Sequence, residues 1–127
     1  GGKPSWAESE TSGSFVKINL STNTVTAALP FLLGNHPSNL IFHDNKFYYT
    51  VDSNVFSKTI EANTIPTTPI FSTTAQGVYG VYSFAIANNK IYVGDATDYN
   101  SNGKVYISSK NDLDKEIQIF DVFTLII

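Results

Sequence analysis

A short pattern of strand and turn repeats along the chain. The stretch LIFHDNKFYY at residues 40–49 aligns with FAIANNKIYV at residues 84–93, an offset of 44 residues. Each copy has an apolar stretch, a turn that contains Asn, a lysine, and a second apolar stretch that carries Tyr. A repeat of this length is one supersecondary unit, which buries its apolar face against a neighbouring copy. The chain is therefore predicted to consist of similar units packed side by side.

A second set of short strands also recurs. Strands are predicted to open at Phe15, Val55 and Val105, and each is followed by a polar turn and another strand. The following strands are predicted at residues 24–30, 65–71 and 115–120. The second of these contains Pro66 and Pro69, which an edge strand tolerates because part of its N–H groups have no partner. Each unit thus holds four short strands joined by polar turns.

Four strands in a unit of roughly 40–50 residues are typical of a β-propeller blade. The sequence predicts an all-β protein of four-stranded antiparallel blades, within a single domain of residues 1–127. Two full blades are expected at residues 38–71 and 82–120. Strands two to four of a third are expected at residues 5–30, without its inner strand.

Composition excludes several classes of function. The net charge is −3 and no cluster of Lys or Arg occurs, so a nucleic-acid partner is not expected. The absence of Cys removes disulfides, thiolate nucleophiles and Cys-zinc sites. No apolar run approaches the roughly 20 residues of a membrane-spanning helix. The chain opens on Gly1-Gly2 rather than Met, which indicates a processed or recombinantly expressed product whose true start was removed, and any export signal would have been removed with it.

Several motifs follow one another in a characteristic order. The segment KINLSTNTV at residues 17–25 is followed by Leu-Pro at 29–30 and by Gly-Asn-His-Pro at 34–37. This order resembles that of the YVTN-type β-propeller repeat proteins, and residues 48–50 (YYT) and 92–95 (YVGD) stand where that family has its Tyr-Val-Thr-Asn strand. The hairpin at residues 98–106 is similar to those of secreted Bacteroidetes surface-layer-like propellers. The resemblance implies a propeller that acts as a non-catalytic scaffold for protein or carbohydrate binding, in the periplasm, outside the cell or on its surface. A propeller-based lyase or glycosidase, and a purely structural repeat of a larger chain, are the alternatives.

The last segment, residues 121–127, ends in an apolar run. By position it follows a fourth strand, so it is expected to be the inner strand of the next blade. A homodimer that exchanges these tails would close a six-bladed ring, each tail completing the partner's first blade. A truncated product whose tail packs locally is the alternative.

The stretch DATDYNSNG contains D-x-N-x-N-G, the front half of an EF-hand calcium loop. Such a loop needs a Glu at its twelfth position and flanking helices. The twelfth residue counted from Asp98 is Ser109, and the flanks are predicted strands. A hairpin turn in which Asp caps its own backbone is therefore favoured over calcium. The candidate calcium ligands are Asp95, Asp98, Asn100 and Asn102.

Aromatic side chains are the stronger functional signal. Rings with polar tips can stack on sugars or peptides, although propellers also fill the gaps between blades with such rings. The candidate ligand-binding residues are Trp6, Tyr79, Tyr82 and Tyr99. The two imidazoles, His36 and His43, have no second His or Cys close in sequence, so zinc is not expected. Without a G-x-S-x-G elbow or a supported carboxylate pair, an enzyme is not expected either.

Overall fold

The computed structural model describes residues 6, 8–109 and 118–122. Within them the regular structure consists of ten strands and one 3₁₀ turn at Thr74–Gln76. The strands are β1 (Ser14–Asn19), β2 (Thr24–Pro30), β3 (Pro37–His43), β4 (Lys46–Val51), β5 (Asn54–Thr59), β6 (Phe71–Ser72), β7 (Val81–Ala87), β8 (Lys90–Asp95), β9 (Gly103–Ser109) and β10 (Gln118–Val122). The prediction of an all-β protein is confirmed.

The strands form three antiparallel sheets in which neighbours in the chain are neighbours in space. The first sheet is the hairpin β1–β2, the second has the order β3-β4-β5-β6, and the third has the order β7-β8-β9-β10. Every pairing is antiparallel. The described strands do not close into a ring.

The 44-residue repeat reappears in the geometry of the second and third sheets. The turns Asp44-Asn45 and Asn88-Asn89 join β3 to β4 and β7 to β8, and both residues of each turn have positive φ. Two such residues are what a type I′ turn requires, and Asn and Asp tolerate this conformation better than other side chains. The register of the first strand pair also shifts near the same place in both sheets, between Ser38 and Ile41 and between Val81 and Ser83.

The predicted strand at residues 65–71 is wrong in extent. β6 covers only Phe71–Ser72, which pair with β5. Pro66 and Pro69 lack the N–H that a ladder needs, so regular pairing begins only after them.

The predicted strand at residues 115–120 is displaced towards the C-terminus. β10 spans Gln118–Val122, and residues 115–117 lie outside the described residues. Asp121 and Val122, expected to open the tail, instead pair with Lys104 and Gly103 in the third sheet. The rest of the tail, residues 123–127, lies outside the described residues.

The partial blade expected at residues 5–30 has two strands among the described residues rather than three. The end of the hairpin repeats one hydrogen bond of the second sheet. The Phe31 N–H, just after β2, donates to the Gly13 carbonyl at 2.9 Å. In the second sheet the Thr73 N–H, just after β6, donates to the Ser53 carbonyl at 2.8 Å. The pairing of β1 with β2 therefore ends in the same way as the pairing of β5 with β6.

Aromatic rings pack the hairpin against the second sheet. Phe15 lies 5.4 Å from Phe31 and 5.0 Å from Tyr49, measured between ring centroids. Tyr49 also stacks on Phe56 at 5.6 Å. Phe31, Tyr49 and Val51 are buried in this cluster. Burying a large apolar side chain stabilises the fold by about 1.5–3 kcal/mol, so this cluster holds the first two sheets together.

A second core cluster belongs to the third sheet and to the segment before it. Ile91, Val93 and Tyr106 are buried together with Val78, which lies between the 3₁₀ turn and β7. The second and third sheets meet through their first strands, since β3 contacts β7.

Candidate functional site

The segment that links the second sheet to the third is fixed at its start by side chains. The N–H and the hydroxyl of Thr73, which is fully buried, both donate to the Ser53 carbonyl at 2.8 Å. The Tyr106 hydroxyl, from β9, donates to the Gly77 carbonyl at 3.0 Å. Gly77 ends the 3₁₀ turn with a φ of 86°, a conformation that favours glycine. Residues 73–77 are therefore tied to both sheets.

The buried carboxylate of Asp95, the last residue of β8, holds the next part of this link. Its Oδ2 accepts the Tyr79 N–H at 2.9 Å, and its Oδ1 accepts the Gly80 N–H at 3.2 Å. Oδ1 also accepts the Thr97 N–H at 2.9 Å, at the start of the β8–β9 loop. Hydrogen bonds to an ionised acceptor are about twice as strong as neutral ones. One side chain thus fixes two backbone segments beside each other.

Three exposed tyrosines lie on or next to these two segments: Tyr79 in the link, Tyr82 in β7 and Tyr99 in the β8–β9 loop. Tyr79, Tyr82 and Tyr99 are 76%, 69% and 72% exposed, and we call them the tyrosine surface. The rings of Tyr82 and Tyr99 meet edge to face, with centroids 6.1 Å apart and an interplanar angle of 75°. The predicted residues Tyr82 and Tyr99 are thus brought together although they are 17 positions apart. Such rings are anchored at the backbone and open to a ligand on the outside.

Trp6, the fourth predicted aromatic, is 86% exposed and makes no ring contact with the tyrosine surface among the described residues.

The candidate calcium motif forms a capped turn. The Asp98 carboxylate accepts the Ser101 N–H at 2.7 Å, the Asn100 N–H at 3.0 Å and the Ser101 hydroxyl at 3.1 Å. The Ser101 N–H foremost, and then the Asn100 N–H, lower the pKa of the Asp98 carboxyl below its usual value, because they stabilise the ionised form. Asp98 forms an Asx turn, in which its side chain accepts the N–H two residues further along the chain.

Asn100 and Asn102 also take part in hydrogen bonds within this loop. The Asn100 amide donates to the Asp98 carbonyl at 3.1 Å, and the Asn102 carbonyl accepts the Thr97 hydroxyl at 3.4 Å. The carboxylates of Asp95 and Asp98 both accept backbone N–H groups. Within residues 8–109 no three His, Asp or Glu side chains gather as metal ligands do. The geometry favours the turn, and calcium stays a prediction.

The two imidazoles lie beside carboxylates. His36 Nε2 is 2.9 Å from Glu10 Oε1, a pair 26 positions apart that no local motif indicates. His43 Nε2 is 3.7 Å from Asp44 Oδ2.

Sequence reasoning missed the structural role of Asp95, which it considered as a metal ligand and, with Asp98, as a carboxylate pair. A signal was present in the pattern, because Asp95 closes a strand opposite the first residues of β7 and polar groups at strand ends commonly bind neighbouring loops. It also missed Lys58, whose alternation with Phe56 along β5 places it on the side of the aromatic cluster.

Comparison with known protein families found no family that matches this chain, and comparison with curated proteins found no match. In the part of the chain that the structure describes, no helix has the length and apolar character needed to cross a membrane.

Proposed function

We propose that this chain is a non-catalytic binding module of β-propeller type, similar to the YVTN repeat proteins and part of an exported or cell-surface protein. The propeller is supported by two four-stranded sheets with sequential strand order, whose first strands contact each other. The resemblance of residues 17–25 and 92–95 to YVTN repeats supports export. Each blade then acts as a rigid support for the loops at its ends.

The observation that carries the binding function is the tyrosine surface. Loops held by a rigid sheet are common binding positions, and Asp95 restrains these loops before any ligand arrives. Restraint in advance lowers the entropy cost of binding.

The surroundings of the tyrosine surface favour a neutral carbohydrate as its ligand. Residues 73–109 carry two cations and two anions: Lys90 lies at the far end of β8 from Asp95, and Lys104 pairs with Asp95 across the sheet. With Asp95 and Asp98 as the two anions, this part of the chain has no net charge. The β8–β9 loop supplies hydroxyl and amide groups instead, on Ser101, Asn100 and Asn102. Aromatic rings beside such neutral donors and acceptors complement the apolar face and the hydroxyls of a sugar ring.

Both carboxylates at this site already accept backbone N–H groups, which leaves them suited to holding the loops rather than to proton transfer. We therefore propose binding without catalysis.

The test is a glycan array probed with the purified chain, followed by titration of the glycans that it retains. Tyr82→Ala and Tyr99→Ala are each expected to weaken that affinity by about three- to tenfold, because each removes one ring contact. Tyr82→Phe is expected to retain the ring contribution. Leu20→Ala, which removes an exposed apolar side chain from the turn between β1 and β2, is the control.

Failure of the native chain to retain any glycan would contradict the carbohydrate assignment. So would alanine variants that both bind with the affinity of the native chain. Retention of peptides instead, lost in the same variants, would assign the surface to a protein partner.

We also propose that a second copy of the chain extends the hairpin β1–β2 with its tail at residues 123–127, as part of a six-bladed ring. Two observations support this proposal. The hairpin has two strands where the other sheets have four. Phe42, on β3, is more than half exposed, although β3 is the first strand of its sheet. A strand added beside the hairpin would cover it.

A further inference from the structure

A groove of about 440 Å³ separates the β1–β2 hairpin from the second sheet. It lies away from the tyrosine surface, and its volume falls in the range of small-molecule sites, about 300–1,000 Å³. Most of its walls are apolar. They are formed by Phe15, Leu29, Leu40, Phe47 and Ile60.

A buried lysine lines this apolar groove. Lys58 is 6% exposed and pairs across the sheet with Phe47, on the same side of β5 as Phe56. Its ammonium donates to the Thr59 carbonyl at 3.1 Å. An ammonium carries three N–H donors, and within the described residues Lys58 makes no further hydrogen bond and no ion pair. A buried cation is costly unless an anion or further acceptors compensate its charge.

A second lysine brings the groove to a net positive charge. Lys17 follows Phe15 two positions along β1, so the two side chains lie on the same side of the hairpin, and both line the groove. Glu61 also lines it, and its carboxylate accepts the Asn45 amide at 3.3 Å. Two ammonium groups and one carboxylate leave one net positive charge. That balance suits a monoanion better than a doubly charged phosphate.

We propose that this groove binds a small amphipathic carboxylate, with the carboxylate on Lys58 and Lys17 and the apolar part against Phe15, Leu40 and Phe47. The anion supplies the compensating charge that Lys58 lacks. The hydrocarbon part covers the apolar walls, which contributes about 25 cal/mol for each Å² removed from water. This proposal does not depend on the carbohydrate site.

The experiment compares three probes with the same chain and different head groups: octanoate, octan-1-ol and octylammonium. Each is titrated into the isotope-labelled protein and followed through the methyl resonances of Leu29, Leu40 and Ile60. Octanoate is expected to bind at least about tenfold more tightly than octan-1-ol, since a charge-assisted contact in an apolar site is worth about that factor. Octylammonium is expected to be the weakest.

Lys58→Met keeps the apolar length of the side chain and removes its charge. It is expected to abolish the preference for octanoate over octan-1-ol while octan-1-ol still binds. Lys17→Met is expected to reduce the same preference and serves as the second variant, because Lys17 is exposed and its replacement does not disturb the core. Lys90→Met, at the start of β8, is the control and should leave the preference unchanged.

Three results would overturn the proposal. In the first, octanoate causes no change in the methyl resonances of Leu29, Leu40 and Ile60. In the second, the native chain binds octanoate and octan-1-ol equally well. In the third, the preference for octanoate survives both Lys58→Met and Lys17→Met.

Discussion

Tyr49 lies at the centre of the aromatic contact between the hairpin and the second sheet. It meets Phe15 and Phe31 edge to face and stacks on Phe56. Its hydroxyl is buried and has no hydrogen-bond partner among the described residues. Burial raises the pKa of the Tyr49 phenol to about 12, because the phenolate would lose its water. The ring therefore stabilises the contact while the hydroxyl adds nothing to it.

Replacing Tyr49 by Phe is expected to leave the free energy of unfolding at pH 7 unchanged or slightly raised, since it removes an unsatisfied buried polar group. The pH dependence is expected to change more. The native protein holds the Tyr49 proton up to about pH 12, whereas the unfolded chain releases it near pH 10. Tyr49 therefore does not change the free energy of unfolding with pH below pH 10. As the pH rises from 10 towards 12, proton release from the unfolded chain lowers the free energy of unfolding, by about 1 kcal/mol at pH 11.

Urea unfolding of the native protein and of Tyr49→Phe at pH 8 and pH 11 measures this contribution. Tyr92→Phe, in the third sheet, controls for the general effect of high pH. A constant difference between the native protein and Tyr49→Phe at the two pH values would contradict the prediction.

The hairpins of the second and third sheets are specified by two-residue turns. Asn88 and Asn89 have φ values of 49° and 58°, and the corresponding Asp44 and Asn45 have 49° and 59°. In such turns the residue type sets the register of both strands. The fourth strands behave differently, because Pro66 and Pro69 permit a connection to β6 but no ladder.

Asn89→Val is expected to lower the free energy of unfolding by about 1–2 kcal/mol, because a β-branched residue is strained at positive φ. Asn89→Gly is expected to preserve stability, since Asn-Gly is the favoured type I′ pair. Asn102→Val is the control, since Asn102 is an exposed loop residue that does not have positive φ. Chemical unfolding compares the three variants, and a stable Asn89→Val protein would show that packing rather than the turn fixes this hairpin.

The first and the last of the three sheets differ in their number of strands. The third sheet has four strands, whereas the hairpin β1–β2 has two and leaves Phe42 of β3 exposed. Exposed apolar side chains beside a short sheet are a surface on which further strands can add. The proposed partner is a second copy of the chain because the chain's own apolar tail is expected to be an inner strand, the kind of strand that the hairpin lacks.

Light scattering is expected to give twice the 13.9 kDa of one chain for the native protein and the mass of one chain after deletion of residues 123–127. Deletion from residue 123 leaves Asp121 and Val122 in β10, so the third sheet keeps its fourth strand. A native protein with the mass of one chain would contradict the exchange of tails, and a dimer that survives the deletion would place the interface elsewhere.

Local signals in the sequence determined most of the strands. β3, β4, β7 and β8 follow from alternating apolar residues and from Asn turns, since a side chain's preference for strand or for positive φ acts within a few residues. The candidate tyrosines were also visible, because rings beside glycines and turns are recognisable without a fold. The ends of β6 and β10 were displaced, because where pairing stops depends on which partner strand is present.

Contacts between distant residues were decided only by the tertiary structure. Asp95, a candidate calcium ligand in the sequence, accepts the N–H groups of Tyr79 and Gly80, about fifteen positions earlier, and so anchors the tyrosine surface. Lys58 is an ordinary polar residue in the sequence, and only the folded chain shows that it is buried. The reason is physical: strand and turn preferences are local, whereas burial and hydrogen bonding depend on segments that only the folded chain brings together.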